Sequence, residues 1–180
     1  MYGIVNQAIK GLVTENFGAE KWQEIQSKSG AGDEAFISHL KNDDNTTFAL
    51  TTAASEVLNV PVSDVLKLFG EYWVLKTGRE KYGDLLSTGG SSFIDFLDNL
   101  PAFHSRVMLV YPDIEPPEFE IDHEGEKQRR VHYYSIRSGL TDFMYGLLVG
   151  IGKMFDTEVS VAVDKEKLNG ADHDEFIVTW

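Results

Sequence analysis

Apolar residues in this chain recur at three- and four-residue intervals through its first two-thirds and at two-residue intervals in its last third. The first spacing is that of helices with one buried face, the second that of strands with one buried face. Ile4, Val5, Ala8, Ile9 and Leu12 open the helical pattern, with Gly18 as its stop. A second helix is expected from about Ala19 to Ser27, and a third from Asp44 to Leu58. Pro61 then marks a helix start, because its fixed φ suits the first turn. Val62, Val65, Leu66, Phe69, Tyr72 and Trp73 give that helix an apolar face. Residues 83–90, rich in Gly and Ser, read as a break. A longer helical region over 91–111 is interrupted at Pro101, where Asn99 can cap a fresh start.

The period changes after Pro112. A turn over 113–117 leads to a short strand and an acidic hairpin tip, and residues 130–137 (RVHYYSIR) alternate as a strand. A helix to about Phe155 follows, striped by Leu140, Phe143, Met144, Leu147, Ile151 and Met154. Strands over 157–164 and 173–180 end the chain, joined through a turn at 167–170. The expected fold is α+β: a helical N-terminal layer on a C-terminal part with about four antiparallel strands and one inserted helix. At 180 residues this is one domain, with subdomains at about 1–60 and 61–180.

Charge narrows the partners. The net charge of −13 leaves no basic face for nucleic acid or an anionic membrane surface. There is no cysteine, so thiolate chemistry, disulfides and iron–sulfur clusters are excluded. No apolar run reaches membrane-spanning length and the N-terminus lacks a signal-peptide pattern, so a cytoplasmic location is expected.

Two constellations stand out. Phe93, Phe96, Leu97, Leu100, His104, Val107 and Met108 share one helix face, which sets a histidine in an apolar stripe. Such a histidine is either a core residue bonded to a backbone carbonyl or an axial ligand to a metal or haem. His39, His123 and His173 read as solvated, His132 lies on the strand face opposite Tyr133, and no histidine pair has a metal-binding spacing. Tyr133, Ser135 and Arg137 are two residues apart, so they leave one strand face together. Two hydroxyls and a guanidinium suit one or two enclosed carboxylates, or else form the polar outer face of a half-exposed strand.

His104 followed by Tyr-x-Ser-x-Arg at 133–137 resembles the H-NOX family of haem nitric oxide/oxygen-binding domains, which includes the haem domain of soluble guanylate cyclase. The start MYGIVNQAI, the pair Pro116-Pro117, Gly139-Leu140 and Gly146-Leu147 carry the likeness along the whole chain. The resemblance implies a b-type haem between the two parts. Its iron is held by His104, its propionates by Tyr133, Ser135 and Arg137, and it is pressed out of plane by Pro117. It implies a sensor rather than an enzyme, with NO and CO as ligands and loss or weakening of the Fe–His104 bond as the signal. Oxygen-binding members place a Tyr hydroxyl over the ligand at the position matching Phe143, which has none; Met144 and Tyr145 are neighbouring candidates. Ile4, Ala8, Trp73 and Leu147 complete the expected pocket. An oxygen sensor is the alternative if Tyr145 or the Trp73 indole donates to the ligand. The implied partner is a histidine kinase, a cyclic-di-GMP enzyme or a cyclase. The cysteine-built zinc site of some members is not expected here. Two other classes stay open: an acidic interaction module without haem, and a hydrolase using the alternating carboxylates Glu118, Glu120 and Asp122.

Overall fold

A computed structural model describes residues 1–110 and 116–180; the expected helix end at Tyr111 and the first part of the turn expected over 113–117 lie outside the described residues. Helices α1 (Gly3–Phe17), α2 (Ala19–Ser29), α3 (Asp44–Leu58) and α4 (Val62–Tyr72) form the N-terminal layer. Each has a local cause. Gly18 takes φ 91° and separates α1 from α2. The Asp43 carboxylate accepts from the Asn45 amide at 2.9 Å and caps α3. Pro61 precedes α4, as its spacing predicted. The buried faces of these helices meet around Ile9, Val13, Trp22, Ile25 and Leu50.

The chain continues from α4 through a π-helical segment, Trp73–Gly78, into α5 (Arg79–Ser87). The break expected at 83–90 is therefore displaced. Gly83 lies inside α5, and the irregularity sits at Tyr82, with φ −134°. Helix α6 (Phe93–Asp98) and α7 (Leu100–Val110) divide at Asn99. The Asn99 carbonyl accepts from the Phe103 amide at 2.8 Å, and Pro101 falls in the first turn of α7, where its missing N–H costs nothing.

Strands β1 (Glu118–Gly125), β2 (Gln128–Tyr134), β3 (Ser160–Lys165) and β4 (Asp174–Thr179) make one antiparallel sheet in the order β1-β2-β4-β3. Helix α8 (Thr141–Met154) is inserted between β2 and β3. Two expected strands are shortened: β2 ends at Tyr134, not 137, and β3 begins at Ser160, not 157. Register is fixed by pairs such as Val131 with Phe176, both fully buried. A second core forms where α6, α7 and α8 cover the sheet around Phe96, Leu97, Val131, Met144, Leu148 and Phe176. Helices α4 and α8 cross at bare backbone: a Cβ on Gly146 would lie 2.0 Å from the Lys67 carbonyl oxygen, and one on Gly70 2.2 Å from that of Phe143.

Candidate functional site

A cavity of about 720 Å³ lies between the two cores. That is within the roughly 300–1,000 Å³ of pockets that take a cofactor-sized ligand. Its walls are mainly apolar. Helix α1 contributes Ile4 and Val5, the α4–π segment Phe69, Trp73 and Val74, α7 Leu100, Phe103, His104 and Val107, and α8 Phe143, Met144, Leu147 and Ile151. Pro116, Pro117 and Phe119 continue the wall from the sheet side.

His104 faces this space. Its Nδ1 is 3.1 Å from the Leu100 carbonyl oxygen one turn earlier. A carbonyl only accepts, so Nδ1 carries the proton and donates, and Nε2 keeps its lone pair. Burial pushes the pKa of His104 down to about 4, against a smaller opposing effect of the Leu100 carbonyl. The ring is thus a neutral imidazole at neutral pH, the form that binds metals. The backbone bond of the first expectation is present and orients the ring, while the residue also lines the cavity, as the second expectation needs. The Phe119 ring packs on His104 at 4.6 Å and on Tyr133 at 5.5 Å, joining the imidazole to the polar end of the cavity.

That polar end holds Tyr133, Ser135 and Arg137, all three lining the cavity. Only Tyr133 is in β2; Ser135 and Arg137 follow its end, with Ile136 between them turned out to solvent. Burial pushes the Tyr133 phenol above its usual range, partly offset by a hydrogen bond with Ser135. The phenol stays protonated and able to donate. Ser135 accepts the Arg137 amide at 3.1 Å, and its carbonyl accepts from the Lys167 ammonium. Arg137 Nε donates to Asp44 Oδ2 at 2.7 Å, and the same carboxylate takes the N-terminal ammonium. Burial raises the Asp44 pKa, but these two cations outweigh it and hold the carboxyl below its ordinary value. Asp44, at the start of α3, thus ties the N-terminal layer to the segment after β2 that lines the cavity. Nothing in its local sequence marks it, since its partner lies 93 residues away.

The remaining expected residues divide. Ile4, Trp73, Pro117, Phe143, Met144 and Leu147 all line the cavity. Ala8 does not; it is buried in the N-terminal core. Tyr145 is also not among the lining residues, and the Lys67 ammonium lies 5.0 Å over its ring. Glu118, Glu120 and Asp122 are exposed on β1, without the contrasting environments that paired acid–base chemistry uses. His39 and His123 are exposed as expected, whereas His173 is buried, a correction to its solvated reading.

The donor set fits haem. The imidazole of His104, with Nε2 not used in the Leu100 bond, could serve the iron, the apolar slot has room for the ring, and the hydroxyls of Tyr133 and Ser135 with the Arg137 guanidinium have the chemistry to take its carboxylates. Among the described residues no helix is long and apolar enough to cross a membrane.

Comparison with known proteins agrees with this geometry. The family model described as haem-NO-binding matches residues 2–163. Soluble guanylate cyclase gcy-35 of Caenorhabditis elegans is 29% identical over 99% of this chain, which covers 27% of that protein. The guanylate cyclase soluble subunit beta-2 of Rattus norvegicus is 32% identical over 63% of the chain and 18% of its own length. The chain therefore spans about a quarter or less of these relatives. Among solved structures, an H-NOX protein from S. oneidensis in the Fe(II)NO state superposes with TM-score 0.88 at 23% identity, covering 99% of this chain and 98% of that one. An unliganded Fe(II) H-NOX protein from K. algicida gives TM-score 0.85 at 24% identity, covering 99% and 96%. With the α+β fold, the cavity and a family match over most of its length, this chain belongs to the haem-NO-binding (H-NOX) family of haem-binding gas-sensor domains.

Proposed function

We propose that this domain is a receptor for nitric oxide and carbon monoxide, not an enzyme, and that His104 carries its signal. The observation that supports this most is the neutral imidazole of His104 and the carboxylate-binding corner of Tyr133, Ser135 and Arg137 in one apolar cavity. Ferrous haem, when bound, would supply an iron able to take a diatomic gas, and its bond to the His104 imidazole would be the one that NO weakens. Nε2 of His104 would hold the iron while the Leu100 carbonyl keeps the ring turned. Tyr133, Ser135 and Arg137 would hold the propionates, and Pro117 would press on the ring.

The walls favour NO and CO over oxygen. Bound oxygen gains from a hydrogen-bond donor, and the α8 residues that line the cavity, Phe143, Met144, Leu147 and Ile151, carry none. A second reading, oxygen sensing, draws on one observation: Trp73 lines the cavity and carries an indole N–H.

Release of His104 would free α7 to shift. The last turn of that helix carries Met108 and Leu109, 43% and 84% exposed, so this end is lightly packed, whereas Leu100 and Phe103 hold its start in the core. Its exposed end is the natural surface for a cytoplasmic partner, a histidine kinase, a cyclic-di-GMP enzyme or a cyclase. Absorption spectra test the reading. Purified ferrous protein should show a haem Soret band that shifts with NO and with CO and is unchanged when the oxygen-free buffer is replaced by buffer equilibrated with air. His104→Gly should lose the protein ligand and regain the spectrum with added imidazole. Colourless protein that does not take up hemin would overturn the proposal, and a stable air-dependent shift would favour the second reading.

A further inference from the structure

A second cluster lies on the sheet face opposite the cavity. His132 is on β2, one residue from Tyr133, and so points the other way. Glu175 is its direct cross-strand partner on β4, and His173 sits just before β4. His132 Nδ1 and His173 Nε2 are 2.9 Å apart. Glu175 Oε1 is 3.3 Å from His173 Nε2 and 3.7 Å from His132 Nδ1. His173 and Glu175 are buried.

The outer partners of the two rings decide what these atoms present to one another. His132 Nε2 is 3.1 Å from Asp122 Oδ2, and His173 Nδ1 is 2.7 Å from Asp172 Oδ1. Carboxylates only accept, so each ring donates its N–H outward. The inward nitrogens, His132 Nδ1 and His173 Nε2, then face each other and the Glu175 carboxylate oxygen. With each ring donating outward, either a shared proton or a metal ion completes the cluster.

We propose that His132, His173 and Glu175 bind a divalent transition-metal ion of the zinc class, with water in the fourth position. The spacing supports this. A tetrahedral ion with ligands at about 2.0–2.1 Å holds them about 3.3–3.4 Å apart. The three observed separations bracket that value. Two imidazoles with one carboxylate are a donor set that zinc takes readily. Asp122 and Asp172 supply the outer carboxylates that fix tautomer and orientation around such ions. Tyr134 stacks on His173 with ring centroids 4.2 Å apart and steadies that ring. Two cations also face the cluster. Arg130 Nη1 donates to Glu175 Oε2 at 3.0 Å and leaves Oε1 available. Lys165 Nζ lies 2.5 Å from Oε1, the ligand atom itself, on a side chain that is 55% exposed and able to swing away. Lys165 therefore competes with the metal for one oxygen.

The competition gives the test. Haem-loaded full chain is dialysed against zinc chloride at pH 7.5, and bound zinc is measured by isothermal titration and elemental analysis. One zinc per chain is expected, with the haem spectrum unchanged because the site is on the other face of the sheet. His132→Gln and His173→Gln should each weaken binding by at least roughly 10–100-fold, the range seen even for outer partners of metal ligands. Lys165→Ala should tighten it, which an adventitious surface site or a misfolded variant would not reproduce. Zinc retained equally by wild type and both Gln variants overturns the proposal. So does failure to retain zinc, the result expected if the rings share only a proton. Unchanged or weaker binding in Lys165→Ala removes Glu175 from the ligand set and sinks the three-residue site.

Discussion

Protonation of His104 offers a quantitative test of the cavity. In the folded chain burial lowers its pKa from 6.5 to about 4, so the unfolded chain binds the proton first as pH falls. The stability contributed by the neutral ring is complete above pH 6.5, is lost as pH falls toward 4, and changes no further below that. Linkage over this window gives a loss of about 1.8 kcal/mol between pH 7 and pH 5. This is an upper value, since the ring borders a cavity that water can enter. Urea unfolding of haem-free wild type and His104→Gln at the two pH values isolates it, because the carboxylates titrate alike in both proteins. The wild type should lose more than the variant by roughly 1–1.8 kcal/mol. Hemin affinity gives an independent reading. An ordinary histidine would lose about 25-fold in available lone pair between pH 7 and pH 5, whereas one with a pKa near 4 loses about a tenth. Equal pH slopes in wild type and variant, or hemin affinity falling tenfold by pH 5.5, would refute the assignment of His104 as a buried neutral ligand.

Other perturbations probe the frame around the site. Gly146→Ala forces a Cβ against the Lys67 carbonyl, so α4 and α8 must separate by over an ångström; a loss of about 3 kcal/mol and a Tm lower by roughly 5–10 °C are expected. Gly83→Ala, with open space around it, should stay within about 1 kcal/mol of wild type by the same calorimetry. Asp44→Ala removes the partner of Arg137 and of the N-terminus; partial exposure limits the cost to about 1 kcal/mol, readable in urea. Phe143→Tyr puts a hydroxyl on the α8 wall and should give an air-stable spectral change that wild type lacks. Pro117→Ala should flatten the haem, seen as weaker out-of-plane modes in resonance Raman spectra.

How much of this was legible in the sequence follows from the range of the interactions. His104 could be read because its apolar neighbours lie three and four residues away on one helix, and the bond that fixes its tautomer goes to Leu100 in the preceding turn. Period-two spacing grouped Tyr133, Ser135 and Arg137 but left a polar outer strand face open, and the family resemblance singled them out; β2 stops at Tyr134, and the last two reach the cavity from the connection that follows. Gly83 misled because a glycine weakens a helix without ending it. Ala8 misled because helical spacing identifies a buried face but not whether that face meets a cavity or another helix. Asp44 and the pair His132–His173 were illegible for a different reason: their partners are 93 and 41 residues distant, and only the assembled sheet and helices bring them together.

The same alternation that makes Tyr133 readable separates the two sites. Along β2, Arg129, Val131 and Tyr133 are buried toward the helices, while His132 turns outward to Glu175. A slip of one residue would exchange these faces, placing His132 against the core and Tyr133 on the outside. Val131 and Phe176, paired and fully buried, and the two-pronged Arg129–Asp98 bond oppose that slip from the same buried face of the strand. One register therefore places both the Tyr133 phenol at the cavity and the His132 imidazole in the cluster on the other face. Loosening it at Val131 should damage both sites at once, whereas substitutions at Tyr133 or His132 alone should damage one each.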